Sequence, residues 1–182
     1  MTNLLSRLIE GHQNKTTQPN PAERSGPGML ILSCMDARCN PEAIFKLQAG
    51  ESFILRIAGN IITPEIIGSM EYAVTHAGIK LIFILGHTDC KAIAATHQKI
   101  PMASLHGIAT AIQPAIDHVR TQSDLSASET ALDLDAVSHC HVQRMITEVS
   151  AANDALRTAI ERGHLAISGG LYDVQTKTVR FM

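Results

Sequence analysis

Tryptophan is missing from this 182-residue chain, and aromatic residues together make up 3% of it. A surface that stacks nucleic-acid bases needs exposed rings, so their scarcity argues against one. Charge of either sign is also thin: 15 Lys and Arg stand against 17 Asp and Glu, for a net charge of -2. Electrostatics alone therefore points to no nucleic acid and no anionic membrane as a partner. No apolar run approaches the roughly 20 residues of a transmembrane helix. At the start, Leu4, Leu5, Leu8 and Ile9 are spaced as in an amphipathic helix. The basic start, apolar run and small-residue cleavage site of a signal peptide are not there. A soluble cytoplasmic protein is the expectation. Also lacking is any Gly-x-Gly-x-x-Gly or Walker-type loop, which removes support for a nucleotide-binding protein. The cysteines number four, Cys34, Cys39, Cys90 and Cys140. In a mid-sized cytoplasmic chain they read as free thiols or metal ligands before disulfides.

What is present fits one domain with a real core: 45% hydrophobic and 18% charged residues. Residues 2–11 read as a short amphipathic helix, and 12–28 as an extended polar arm rich in breakers. Together, residues 1–28 are expected to pack on a partner subunit, with 29–182 forming the catalytic α/β domain. Strands are predicted over 29–33, 52–56, 80–85 and 165–168, with a hairpin-like edge of 171–174 and 178–181 turned at 175–177. Helices are predicted over 41–45 (Asn40 as N-cap, Pro41 at the first position) and 64–77 (Thr63 as N-cap, stopped by Gly78). Further helices are predicted over 91–96, 103–119 with a kink or break at Pro114, and 139–161 ended by Gly163. Residues 121–135 read as a loop. Strands alternating with helices predict a mostly parallel central sheet flanked by helices, with a C-terminal edge strand.

Two segments carry the chemistry. Cys34-Met35-Asp36-Ala37-Arg38 follows the first strand directly, and Gly86-His87-Thr88-Asp89-Cys90 follows the third. In parallel sheets, sites lie beyond the carboxyl ends of the strands. Cys34, His87 and Cys90 can converge there, and two thiolates with an imidazole suit zinc. Three ligands instead of four leave a position for water or a displaceable carboxylate, as in catalytic zinc sites. Taken singly, a Cys beside a loop His, or a buried Cys, is more often a core residue. Asp36 and Arg38 form either a structural ion pair or a functional one. Asp36 can close the site as a further ligand. It can also pair with Arg38, stay ionised and accept a hydrogen bond from the nucleophile.

With Arg56-Ile57-Ala58-Gly59-Asn60 added, the ordered set Cys34-x-Asp36-x-Arg38, Arg56-x-Ala58-Gly59-Asn60 and Gly86-His87-Thr88-Asp89-Cys90 resembles the β-class carbonic anhydrases. The ending Gly169-Gly170-Leu171-Tyr172-Asp173-Val174-x-Thr176-x-x-Val179 is similar to theirs too, so the likeness runs from about residue 29 to the end. The resemblance implies one Zn²⁺ per subunit on Cys34, His87 and Cys90, and Asp36 and Arg38 as the catalytic dyad. It implies reversible hydration of CO₂ to bicarbonate and a proton through zinc-bound hydroxide. Gly59 and the backbone N–H of Lys91 are the implied substrate contacts. A homodimer with an embracing N-terminal helix is implied, paired in some members into tetramers.

The chain departs from the family pattern at Lys91, where Gly is usual, and at Ile57, where Asn is usual. Ser25 is the nearest counterpart of an upstream substrate-holding Gln. The absence of Trp removes one form of bicarbonate inhibition. Two other readings use the same residues: hydrolysis of COS or CS₂, and a zinc-binding or regulatory module without catalysis. The remaining histidines, among them His97, His106, His118, His139, His141 and His164, lack ligand spacing to the cluster and are assigned surface or core roles.

Overall fold

The computed structural model describes residues 27–101, 106–122 and 132–182. The expected N-terminal helix and nearly all of its arm lie outside the described residues. Five strands form one sheet in the order β2-β1-β3-β4-β5. These are β1 (Met29–Ser33), β2 (Ser52–Arg56), β3 (Leu81–His87), β4 (Ala166–Asp173) and β5 (Thr178–Phe181). The first four run parallel, and β5 returns antiparallel along β4, the edge expected from the sequence.

Side-chain alternation along the strands sorts the core. Leu30 and Leu32 of β1 and Ile82 and Ile84 of β3 face one side. There they meet α2 (Pro64–Thr75), α5 (Leu134–Ala151) and α6 (Asp154–Glu161), through Met70, Ala73, Val142, Met145, Val149 and Leu156. On the opposite side, Ile31, Phe83 and Leu85 pack with Cys39, Tyr172 and α1 (Pro41–Phe45). A separate cluster sits past the strand ends, where Ile61, Ile93, Ile112, Ala115, Ile116 and Val137 surround Cys34 and Cys90. It joins α3 (Lys91–His97), α4 (His106–Gln122) and the start of α5.

Helix starts follow the sequence signals. Asn40 accepts from the Glu42 N–H with Pro41 in the first turn, and Thr63 accepts from the Ile66 N–H with Pro64 following. Four expectations need correction. The long helix over 139–161 is two helices. Asn153 takes an extended conformation, accepts from Leu156 N–H at 2.9 Å and donates to Glu71 at 2.8 Å, so a polar side chain breaks the helix without Gly or Pro. The end of the 121–135 loop is helical from Leu134, because Asp133 caps the N–H groups of Asp135 and Ala136. Pro114 does not break α4, which continues to Gln122. Burial of Ile112, Ala115 and Ile116 beside it offsets the lost backbone bond. Finally, 165–168 and 171–174 belong to one strand, β4, because Gly169 and Gly170 pair with Ile84 and Leu85 of β3. Their bare backbones admit Val142 and Ile146 on one side and Phe83 and Val179 on the other.

Candidate metal centre

Strand register brings the two motifs together. Ser33, the last residue of β1, pairs with Leu85 of β3. Cys34 thus leaves the sheet beside Gly86, and His87 closes β3 opposite Tyr172 of β4. His87 is therefore a strand residue and not, as expected, part of the loop after it. Gly86 lets this happen at close range: a Cβ there would collide with Val142 of α5. Cys90 is the residue before α3, three positions beyond His87.

The side chains of Cys34, His87 and Cys90 are 4%, 1% and 4% exposed, and their ligand atoms lie within 4.8 Å of one another. Ligand atoms on tetrahedral arms of about 2.3 Å stand roughly 3.8 Å apart, inside that bound. The His87 Nδ1–H donates to the Thr88 carbonyl at 2.9 Å, leaving Nε2 buried with no partner. A backbone acceptor on one ring nitrogen that frees the other is the usual arrangement for a metal-ligating histidine. The donor set and the orphaned nitrogen both fit a metal ion.

The thiols titrate as a pair. A hydrogen bond from Cys90, against the cost of burial, pulls Cys34 down to about 4, helped by His87. The same bond, with burial, pushes Cys90 above the ordinary thiol range. Burial opposes a charge on His87, but the neighbouring Cys34 and Cys39 sulfurs outweigh it and raise the imidazole to about 10. Without a metal, the buried Cys34–Cys90 pair favours sharing one proton, and the neighbouring sulfurs favour the protonated form of His87. The Gly59 N–H donates to the Cys34 sulfur at 3.4 Å, made possible by a positive φ of 66° at Gly59. Ile112 packs so close that a Cβ on Gly59 would come within 2.8 Å of it.

Asp36 is turned onto Arg38. Arg38 Nε meets one carboxylate oxygen at 2.9 Å and Nη2 the other at 2.7 Å, while the Arg38 backbone N–H adds 3.0 Å. The Arg38 side-chain hydrogen bonds hold the Asp36 carboxyl below the ordinary carboxylate range. Arg56 braces the same loop from below, with Nε on the Cys34 carbonyl at 3.1 Å and Nη2 on the Asp36 carbonyl at 2.6 Å.

The structure thus gathers Cys34, Asp36, Arg38, Gly59, His87, Cys90 and Lys91 at one end of the sheet. Cys39 is buried by Ile31 and Phe83, and Cys140 lies on α5, outside the ligand cluster. Sequence reasoning assigned no role to Asp89, which binds Arg38 and Lys91. Its place between His87 and Cys90 was the available signal. Nor did it single out His141, whose Nε2–H donates to the Gly59 carbonyl at 2.9 Å from α5. Nothing local in the sequence marks a partner 82 residues away.

A mostly parallel α/β sheet with a buried Cys-His-Cys cluster beyond its carboxyl ends presents three donors that could hold one metal ion. A family model described as carbonic anhydrase matches residues 29–179. Carbonic anhydrase 2 of Mycobacterium tuberculosis is 31% identical over 148 residues, covering 81% of this chain and 70% of that protein. The β-carbonic anhydrase CcaA superposes with a TM-score of 0.79 at 22% identity, over 97% of this chain and 94% of that one. A Coccomyxa β-carbonic anhydrase in complex with acetazolamide superposes with a TM-score of 0.75 at 27% identity, over 88% of this chain and 74% of that one. The chain belongs to the β-class carbonic anhydrase family.

Proposed function

We propose that this protein is a zinc enzyme for the reversible hydration of CO₂ to bicarbonate and a proton, with Cys34, His87 and Cys90 holding the metal. The observation that carries this reading is the unpartnered Nε2 of His87, buried beside two sulfurs, with Asp36 held away by Arg38. When bound, zinc supplies the Lewis acidity that makes water a nucleophile near neutral pH.

The chain's own groups do the rest. Asp36, kept ionised by Arg38, accepts a hydrogen bond from the attacking water and orients it. Ile61, Ile93 and Ile112 make the surroundings apolar, which suits CO₂ and excludes bulk water. The Lys91 backbone N–H, at the start of α3, is the donor for the oxygen that gains negative charge. Gly59 acts on the ligand, through its N–H on the Cys34 sulfur. Arg56 fixes the carbonyls of Cys34 and Asp36 and so the loop between them.

We carry forward the homodimer on a separate observation. Phe181 is 66% exposed next to Phe45 and Phe83, an aromatic patch that a second copy would cover. Sedimentation velocity tests it, and a monomer at micromolar concentration overturns it.

The deciding experiment is metal analysis with CO₂-hydration kinetics across pH, for the native chain and Cys34→Ser. One zinc per chain with hydration, both lost in Cys34→Ser, is the expected result. Full zinc without hydration at any pH overturns the reading in favour of a non-catalytic module. Turnover of COS or CS₂ far above CO₂ reassigns the substrate.

A further inference from the structure

Two residues, Thr88 and Asp89, separate His87 from Cys90, and they set how the two side chains stand to one another. Both are held from outside the loop. The Thr88 N–H donates to the Tyr172 carbonyl at 2.9 Å, and the Thr88 hydroxyl oxygen accepts from the Val174 N–H at 3.0 Å. β4 and the residue after it thus fix the His87 side of the loop. The Cys90 side begins at Asp89, whose φ is 52°. A left-handed backbone is unfavourable for a residue with a side chain and persists where the surroundings impose it.

A group that imposes it lies 46 residues further along: the Asp89 N–H donates to a carboxylate oxygen of Asp135 at 2.9 Å. Asp135 stands in the first turn of α5, and Asp133 already caps that helix by accepting from the N–H groups of Asp135 and Ala136. The helix start therefore does not need the Asp135 carboxylate, which reaches out to the loop. Two aspartates can meet here because the Asp89 carboxylate turns the other way, onto Arg38 and Lys91. The acceptor is also firmly mounted, since α5 packs on β3, the strand that carries His87, with Val142 against Gly86. His87, Asp135, Asp89 and Cys90 thus belong to one closed frame.

We propose that Asp135 is a positioning residue for the metal centre: by fixing the Asp89 N–H it holds the left-handed kink that places Cys90 beside His87. The inference rests on the reading that Cys34, His87 and Cys90 hold a metal ion. Without Asp135, the Asp89 N–H is left to water and the kink loses its charged acceptor. Cys90 is the next residue, so its sulfur is no longer preset against His87, and metal binding must order it.

Two measurements on the full-length protein test this. The first needs no metal: amide hydrogen exchange at Asp89, read by NMR on the metal-free chain. Asp135→Ala is expected to speed it roughly fivefold, and Asp135→Asn, whose amide oxygen still accepts, to stay within about twofold of the native chain. The second is cobalt(II) affinity, by competition with a chromogenic chelator. Asp135→Ala is expected to weaken it roughly fivefold and Asp135→Asn by no more than about twofold. Because Asp133 still caps α5, both variants are expected to fold. Asn153→Ala, which removes the cap of α6, is the comparison: it should lower the denaturation midpoint and leave cobalt affinity unchanged. An unchanged exchange rate or an unchanged affinity in Asp135→Ala overturns the proposal. So does an equal loss of affinity in Asn153→Ala, which would trace the effect to general stability, or in Asp135→Asn, which would trace it to charge. A native chain that takes up no cobalt overturns the metal reading and this inference with it. The expected pattern in a protein that hydrates no CO₂ upholds the inference and removes the proposed reaction.

Discussion

The imidazole of His141 donates from Nε2 to the carbonyl oxygen of Gly59 at 2.9 Å, and the N–H of that same glycine donates to the Cys34 sulfur at 3.4 Å. A helix on one side of the sheet thus reaches a proposed metal ligand through a single residue, Gly59. Outer partners of this kind typically change metal affinity about 10- to 100-fold when removed. His141→Leu is expected to release metal about tenfold faster to a chelator, measured with a chromogenic zinc dye. His141→Gln, whose amide still donates, should lie between the two. Equal release rates for all three would show that the contact does not steady Cys34.

His141 also sets a pH dependence. Burial, ahead of the opposing Gly59 bond, pushes its imidazole down to about 4 from an ordinary 6.5. Between those values the unfolded chain takes a proton that the folded chain refuses. Stability therefore falls as pH drops from about 6.5 to about 4, by roughly 3 kcal/mol in total, and loses nothing more from this group below that. Asp36 works in a lower window: its depressed carboxyl contributes stability that is present above its ordinary value of 3.8 and lost as pH falls further. Urea unfolding of the native chain and His141→Gln at several pH values checks this. The difference between them should shrink or invert as pH falls through 6.5 to 4.

Metal uptake must release protons. Near pH 7 the metal-free Cys34–Cys90 pair is expected to share one proton, with His87 favoured as imidazolium. Ligation needs both sulfurs as thiolates and the imidazole neutral, so about two protons leave per zinc. Affinity consequently rises with pH through neutrality. Calorimetric titration in buffers of different ionisation enthalpy counts the protons, and a count near zero would contradict the thiol–imidazolium assignment.

Gly86 precedes His87 at the tightest point of the β3–α5 contact. Gly86→Ala would drive a methyl group into Val142 and toward Leu171, whose Cδ1 would lie 3.4 Å away. Overpacking of this sort costs about 1–3 kcal/mol. Because β3 must move and carries His87, we expect lower zinc content together with a lower denaturation midpoint. Pairing the change with Val142→Ala should recover part of both.

Legibility in the sequence followed distance along the chain. Strands β1 and β2 and the capped starts of α1 and α2 could be read because each depends on residues within one turn of it. The helix break at Asn153 could not, since nothing nearby distinguishes that asparagine from a solvent-facing one until Glu71 meets its amide. The two motifs carrying Cys34, His87 and Cys90 were legible as a candidate site through their position after apolar runs. Asp89 stood in plain view and was passed over, because its role depends on Arg38, 51 residues earlier.

The sequence by itself determined which atoms are available: two thiols, an imidazole and an Asp–Arg pair, placed at the ends of strands whose alternation makes them parallel partners. Those facts are local, set by backbone preference and by hydrophobic period. Tertiary structure decided what the atoms do. Register between β1 and β3 brings Cys34 to His87, burial and mutual hydrogen bonding split the two thiols, and the Arg38 guanidinium, with one edge on Asp36, meets Asp89 with its other edge 51 residues along the chain. Each of these depends on distances of a few ångströms between residues far apart in the chain, and electrostatic and hydrogen-bond energies fall too steeply with distance to be read before the chain has folded.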